Sequence, residues 1–295
     1  LAARSDLEVI SIDPARRKDP AARRTLLNAA DAVILCLPDD AAREAVGFIT
    51  SNRVRVIDAS TAHRTAPGWT YGFPEMAEGQ REAIAASQRV ANPGCYPTGF
   101  IALVRPLVGT GPLPADWPVT VNAVSGYTGG GRNMITEFED KSAPSYTTVP
   151  YRIYGLNMGH KHVPEMQSHA RLAHAPLFAP SVGRYAQGMI VEVPLQLKAL
   201  PATPTLKAVH EALVKAYAGQ PFVQVASLEE AAALKTLDPE GLNGTNRMKL
   251  YVFGSDKLGQ ARLVALLDNL GKGASGAAVQ NLNLMLGLAE TAGLA

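Results

Sequence analysis

Between Leu7 and Ile57, short apolar runs alternate with stretches of helical period, and few folds accept that order. Leu7–Ile12, Ala32–Leu37 and Val54–Ile57 read as strands. Ala21–Ala30 reads as a helix, and Asp39 as the cap of a second helix whose apolar face is Ala42, Ala45, Val46 and Ile49. The order β-α-β-α-β predicts a parallel sheet with right-handed crossovers. Ligands of such sheets lie beyond the carboxyl ends of the strands. Asp13 with Arg16 and Arg17, Pro38-Asp39-Asp40, Asp58-Ala59-Ser60 and Asn92-Pro93-Gly94-Cys95 stand there.

A dinucleotide-binding unit of this kind opens with a strand, a glycine-rich turn and a helix that holds the pyrophosphate. The sequence begins instead at Leu1-Ala2-Ala3-Arg4-Ser5-Asp6, which reads as the end of that helix. The expectation is an α/β Rossmann domain without its first strand and Gly-rich loop, in a natural polypeptide that starts about 20 residues earlier, the length of those elements.

Cys95 draws the chemistry. Gly94 permits a sharp turn after Arg89–Ala91, and Phe100, Leu103, Val104 and Leu107 then repeat with helical spacing, so Cys95 opens a helix. Unpaired N–H groups and the positive end of the helix dipole favour thiolate over thiol there, which makes a nucleophile. The alternative is a cysteine buried as a small hydrophobe. Cys36, inside Val33-Ile34-Leu35-Cys36-Leu37, is expected to be that kind, in a strand covered on both faces. With two cysteines, no leader-like apolar segment and no membrane-length apolar run, a soluble protein of a reducing compartment, the cytoplasm, is expected.

The later chain changes character. Val119–Val124, Met189–Leu197, Phe222–Val225, Met248–Phe253 and Arg262–Leu267 read as strands with long connections, and Thr205–Tyr217 as a helix. The pattern predicts an α+β domain with a largely antiparallel or mixed sheet and helices on one face. Gly276–Leu288 reads as a helix that returns to the first domain. Two clusters there stand as partners for Cys95. Ser125-Gly126-Tyr127-Thr128-Gly129-Gly130-Gly131-Arg132 follows a strand and reads as a flexible substrate loop with Arg132 as an anion clamp, as a phosphate cradle, or simply as a long turn. In His160-Lys161-His162-Val163-Pro164-Glu165, an acid/base histidine oriented by Glu165 fits better than a zinc site, because the chain has no Cys-x-x-Cys or His-Glu-x-x-His. His63, His169, His174 and His210 read as surface residues. A formal charge of +2 without a long basic run argues against nucleic acid as a partner.

The motifs DASTAHR, YGFPEM, NPGCYPT, SGYTGGGR, His160 with KHVPEM, and KGASGAAVQNLNLMLGL, in this order, closely resemble the N-acetyl-gamma-glutamyl-phosphate reductases of arginine biosynthesis, in their shorter form. The likeness runs from about Leu7 to the C-terminus. That family belongs with aspartate-semialdehyde and phosphorylating glyceraldehyde-3-phosphate dehydrogenases. The resemblance implies a Rossmann domain over residues 1–94 and 274–295 and a catalytic and oligomerisation domain over 95–273, in a homodimer or homotetramer.

It also implies NADPH-dependent reduction of a small acyl phosphate, N-acetyl-glutamyl 5-phosphate, to the semialdehyde. Cys95 would form a thioester, and His162 would give a proton to the thiohemiacetal oxygen, with Glu165 beside it. By the same analogy Pro38, Ser60, Ser125, Gly126 and Asn281 border NADP(H). Arg16 would favour its 2′-phosphate, whereas Asp13 would favour the ribose hydroxyl of NADH. Asn92, Arg64, Arg132 and His160 are the substrate candidates. The competing readings are an aspartate-semialdehyde dehydrogenase-like enzyme, a dinucleotide-binding protein whose cysteine is never acylated, and a cysteine hydrolase.

Overall fold

The computed structural model describes every residue except Ala2, Ala3 and Thr110. The chain divides into two compact units, Leu1–Pro93 with Ala274–Ala295, and Gly94–Gly273.

In the first unit, α1 (Pro20–Ala29) starts where Asp19 accepts the N–H groups of Ala21 and Ala22 and Pro20 presets the first turn. There follow β1 (Ala32–Leu35), α2 (Asp39–Phe48), β2 (Arg55–Asp58), β3 (Thr70–Tyr71), α3 (Gln80–Ala86) and β4 (Arg89–Ala91). The four strands form a parallel sheet in the order β1-β2-β4-β3, with Val33 opposite Val56 and Ile57 opposite Val90. One face packs Ile57 and Val90 against Ile84 of α3 and against Ala278, Leu282 and Met285 of the C-terminal helix (Gly276–Met285). The other packs Val33, Leu35 and Val56 against Ala45 of α2. Each buried Ile, Leu or Val contributes about 1.5–3 kcal/mol relative to exposure.

Three expectations for this unit are corrected. Leu7–Ile12 has no regular secondary structure and enters no ladder, and Val9 and Ile10 stay exposed. A strand needs a neighbour, and none of the described residues pairs with this segment. The strand read to Leu37 ends at Leu35, and Cys36 is exposed, because the residues past the end of an edge strand lose their cover. Asp39 is the first residue of α2, not its cap; its carboxylate accepts the N–H (3.0 Å) and hydroxyl (2.5 Å) of Thr61.

The second unit contains α4 (Cys95–Val104), β5 (Thr120–Gly126), α5 (Gly131–Glu139), β6 (Tyr151–Ile153), α6 (Val163–Ala170), β7 (Leu177–Gly183), β8 (Met189–Gln196), α7 (Leu206–Tyr217), β9 (Val223–Val225), α8 (Leu228–Ala233), β10 (Met248–Ser255) and β11 (Gln260–Leu267). Its seven strands run β6-β7-β5-β8-β11-β10-β9 in a mixed sheet, parallel only at β5/β7 and β9/β10. Every residue of α4 from Tyr96 to Val104 is buried. Gly99 permits the approach: a Cβ there would lie 2.9 Å from Val191 Cγ2. The expectation of helices on one face holds for α4 and α7, which meet through the Tyr217 hydroxyl on Ala102 O. It fails for α8, whose Ala231 packs on Tyr251 and Val264, side chains of the opposite face.

Candidate active site

Cys95 is the first residue of α4, after Gly94 in extended conformation. Glu165, buried in the first turn of α6, accepts the Gly94 N–H at 2.8 Å. The carboxylate therefore fastens the backbone immediately before the nucleophile. Thr98 closes the turn from the other side, with its N–H and hydroxyl both on Gly94 O. Below, Gly273 admits Cys95, since a Cβ at 273 would stand 2.9 Å from Cys95 Cβ.

Cys95 opens into a cavity of about 230 Å³ lined by Ser125, Gly126, Gly129, Gly130, Tyr154, His160 and His162, among others, all from the second unit. His162 occupies the N-cap position of α6 and is 7% exposed, its ring 4.8 Å from that of His160. His160 Nδ1 accepts the His162 backbone N–H at 3.2 Å, which leaves the proton of the neutral ring on Nε2. Burial, aided by the neighbouring Lys161 cation, pushes the His160 pKa down to about 4, so its imidazole is neutral near pH 7. Tyr154, which carries no motif and escapes sequence reading, donates its hydroxyl to Tyr96, and Tyr96 donates to Ser181 O. Burial pushes Tyr154 up to about 12 and Tyr96 well above its ordinary value, so both phenols keep their protons.

The glycine segment is helical rather than a loop or a long turn. Tyr127–Gly130 forms a 3₁₀ turn that runs into α5, with Gly131 at φ 69°. Backbone bonds from Tyr127 to Tyr185 O and from Thr128 to Ala186 O hold it. Gly126 is required because a Cβ would meet Ala186 O at 2.5 Å. Arg132, second in α5, is exposed, as is Lys161 on the cavity wall.

The remaining candidates belong to the first unit. Asp58, fully buried at the end of β2, accepts the Ser60 N–H and hydroxyl and bonds His63 Nδ1 at 2.6 Å. His63 is thus no solvated surface residue; it also stacks on Trp69 with ring centroids 4.1 Å apart. Buried Arg64 donates to Asn92 O and Ala59 O, both at 2.9 Å, and so ties together the ends of β2 and β4. Asn92 donates to Ala274 O and accepts from Asn281. Pro38 precedes α2 and is exposed. Arg16 is exposed and paired with Asp19 at 2.9 Å.

Asn281 tests whether this unit suits a nicotinamide dinucleotide. Its amide nitrogen donates to Gly72 O and Asn92 Oδ1, while its Oδ1, in a fully buried side chain, has no hydrogen-bond partner among the described residues. An unmet buried acceptor costs about 1–3 kcal/mol. A carboxamide N–H would satisfy it, so the residues fit the group.

This architecture, a parallel nucleotide-binding sheet and a mixed sheet bearing a helix-start cysteine beside histidines, is that of a semialdehyde dehydrogenase. The family model "Semialdehyde dehydrogenase, NAD binding domain" matches residues 13–87, and "Semialdehyde dehydrogenase, dimerisation domain" matches residues 95–269. Aspartate semialdehyde dehydrogenase II from Vibrio cholerae has the same fold, with a TM-score of 0.65 at 14% identity over 88% of this chain and 81% of that one. The Francisella tularensis aspartate semialdehyde dehydrogenase superposes with a TM-score of 0.62 at 14% identity, over 89% and 84% of the two chains. N-acetyl-gamma-glutamyl-phosphate reductase from Brucella anthropi is 61% identical over 97% of this chain and 93% of its own length. The reductase of that name from Brucella ovis is 60% identical with the same coverage. The chain belongs to the N-acetyl-gamma-glutamyl-phosphate reductase family, and it is an oxidoreductase. No helix among the described residues is long and apolar enough to cross a membrane.

Proposed function

We propose that this protein reduces N-acetyl-glutamyl 5-phosphate to N-acetyl-glutamate 5-semialdehyde and phosphate, with NADPH as reductant, in arginine biosynthesis. The observation that carries the reading is Cys95 at the start of α4, in one cavity with His160 and His162. The identity to reductases of that name supplies the substrate.

In this mechanism His162 takes the Cys95 proton as sulfur attacks the acyl carbon. The C–S bond forms, the C–O bond to phosphate breaks, and phosphate leaves. NADPH, when bound, supplies the hydride that reduces the resulting thioester. The His162 imidazolium gives its proton to the thiohemiacetal oxygen, beside the donors of the cavity. Collapse re-forms C=O and breaks C–S as His162 takes that proton back from oxygen and returns it to sulfur. The neutral His160, with its proton on Nε2, serves as a fixed donor to substrate oxygen, while Tyr154, whose proton is held on Tyr96, has only its oxygen to offer as an acceptor. Arg132 and Lys161 offer cations for phosphate or carboxylate.

Within the first unit, the open acceptor of Asn281 would take the nicotinamide amide, with Ser60 and Pro38 beside the dinucleotide and Arg16 toward its 2′-phosphate. Ser125 and Gly126, on the Cys95 cavity, complete the cofactor assignment of this proposal. Arg64 and Asn92, which tie together the ends of β2 and β4, complete the substrate candidates of this proposal. We place the reaction in the cytoplasm, in a homodimer or homotetramer, in line with the dimerisation domain.

Nicotinamide absorbance followed with N-acetyl-glutamate 5-semialdehyde, phosphate and NADP⁺ tests the reading. Phosphate-dependent turnover is expected, reduced at least about 10³-fold in Cys95→Ser. Turnover that persists in Cys95→Ser, or that ignores phosphate, would exclude a thioester on this residue.

A further inference from the structure

Two adjacent residues between β11 and the wide turn Gly271–Ser275 take no part in the chemistry above, yet both are almost fully buried: Asp268 is 1% exposed and Asn269 2%. Their hydrogen bonds diverge. Asp268 accepts the N–H groups of Gly244 and Leu270, each at 2.8 Å, together with the Gln187 amide. Its carbonyl accepts the Gly273 N–H at 2.9 Å. That carbonyl also lies 3.0 Å from where a Cβ on Gly273 would stand, as Cys95 Cβ does at 2.9 Å. Asp268 therefore sets the turn in which Gly273 is the floor under the nucleophile.

Asn269 reaches elsewhere. Its Oδ1 accepts the Gly188 N–H at 2.7 Å, and its Nδ2 donates to Thr128 Oγ1 at 3.0 Å. Gly188 O accepts the N–H of Gly126, and Thr128 Oγ1 donates to Ala186 O at 2.5 Å. Directly at Thr128, or by way of Gly188, these links reach the segment that carries Gly126, Gly129 and Gly130 to the cavity wall. Glycines have no side chains through which to be anchored, so a wall built from them takes its place from backbone bonds and neighbours such as Thr128.

We infer that Asp268 and Asn269 are the positioning pair of the site: Asp268 fixes the floor beneath Cys95, and Asn269 fixes the glycine wall that meets the substrate. Neither touches reacting atoms. The inference deepens the reductase reading and rests on it for the role of the wall. A double carboxylate–carboxamide anchor makes the two walls separable, because each residue serves a different one.

Separability is the test. Full-length protein is compared as wild type, Asn269→Ala, Asn269→Asp, Asp268→Asn and Gly273→Ala. Cys95 alkylation by iodoacetamide is resolved from that of exposed Cys36 by peptide mass. Asn269→Ala is expected to raise KM for N-acetyl-glutamate 5-semialdehyde about tenfold while kcat and Cys95 alkylation stay within about twofold. Asn269→Asp, which keeps the acceptor for Gly188 and loses the donor to Thr128, should fall between. Gly273→Ala, and Asp268→Asn where it folds, should slow Cys95 alkylation at least about fivefold. Parallel losses of KM and alkylation in both sets, or no change in either, would overturn the inference. If the folded wild type does not turn over, the reductase reading fails by itself. The pair is then decided by alkylation in Gly273→Ala and by amide hydrogen exchange of Thr128–Gly130, which must quicken in Asn269→Ala.

Discussion

His160 gives the sharpest pH prediction. Its ring sits among Tyr96, Tyr154 and Phe178, with centroids 6.2, 5.7 and 5.0 Å away, and Lys161 adds a like charge. Burial first and the cation second lower its pKa from 6.5 to about 4. The unfolded chain therefore binds this proton at a higher pH than the folded one. Stability contributed by the neutral ring is complete above about pH 6.5, declines as pH falls from there, and has been lost once pH is below about 4. At about 1.36 kcal/mol per pH unit the displacement corresponds to at most about 3.4 kcal/mol. Because the side chain is partly solvated, screening reduces the expected figure to about 1.5 kcal/mol. Urea unfolding of wild type and His160→Gln at pH 7.0 and 4.5 measures it, since the difference of differences cancels every other titrating group. Wild type should lose about 1–1.5 kcal/mol more than the variant between the two values. Equal losses, or a larger loss in the variant, would refute the account of His160 as a ring held neutral by burial.

Glu165→Ala should lower stability by about 1.5–3 kcal/mol, the effect of removing a charged acceptor from a buried N–H, and should slow Cys95 alkylation; Glu165→Gln, which keeps an acceptor, should recover most of both. Identical unfolding curves for Glu165→Ala and wild type would contradict the bond to Gly94. Asn281→Leu should weaken NADPH binding about tenfold by fluorescence titration while leaving Cys95 alkylation unchanged, and unaltered affinity would remove the nicotinamide from Asn281.

The ladder of the first unit was legible because its strands are apolar and its helices have the right period: Val33, Ile57 and Val90 are core in the fold as in the pattern. Cys36 was misread for a related reason. An unbroken apolar run signals burial only while the strand has neighbours on both sides, and β1 is an edge strand. The helix start at Cys95 was visible in Gly94 and the repeat that follows. The bond from Gly94 to Glu165 was not. Spacing within α6 pointed to the histidine three residues away, and the structure adds a carboxylate oxygen on a backbone N–H 71 residues earlier, a contact that only tertiary structure can make. That bond also narrows the candidate oxyanion donors around Cys95, because Gly94 has given its N–H to Glu165 and Pro97 has none to give.

The turn Gly271–Ser275 shows most plainly why local reasoning runs out. Gly271-Lys272-Gly273-Ala274-Ser275, just ahead of the helix read from Gly276, forms a wide π-type turn with Lys272 1% exposed. Its glycines answer to distant atoms: a Cβ at 271 would come within 2.0 Å of Thr245 O, and one at 273 within 2.9 Å of Cys95 Cβ. The Lys272 ammonium lies 5.7 Å from the Phe222 ring centroid, an attraction that partly offsets the desolvation of a buried cation. Wide helical turns carry a local cost and persist where something else requires them. Here the requirement is the nucleophile itself. Side chains at 271 and 273 would meet Thr245 O and displace Cys95, so the glycines of this segment and the position of the thiol are two consequences of one packing constraint.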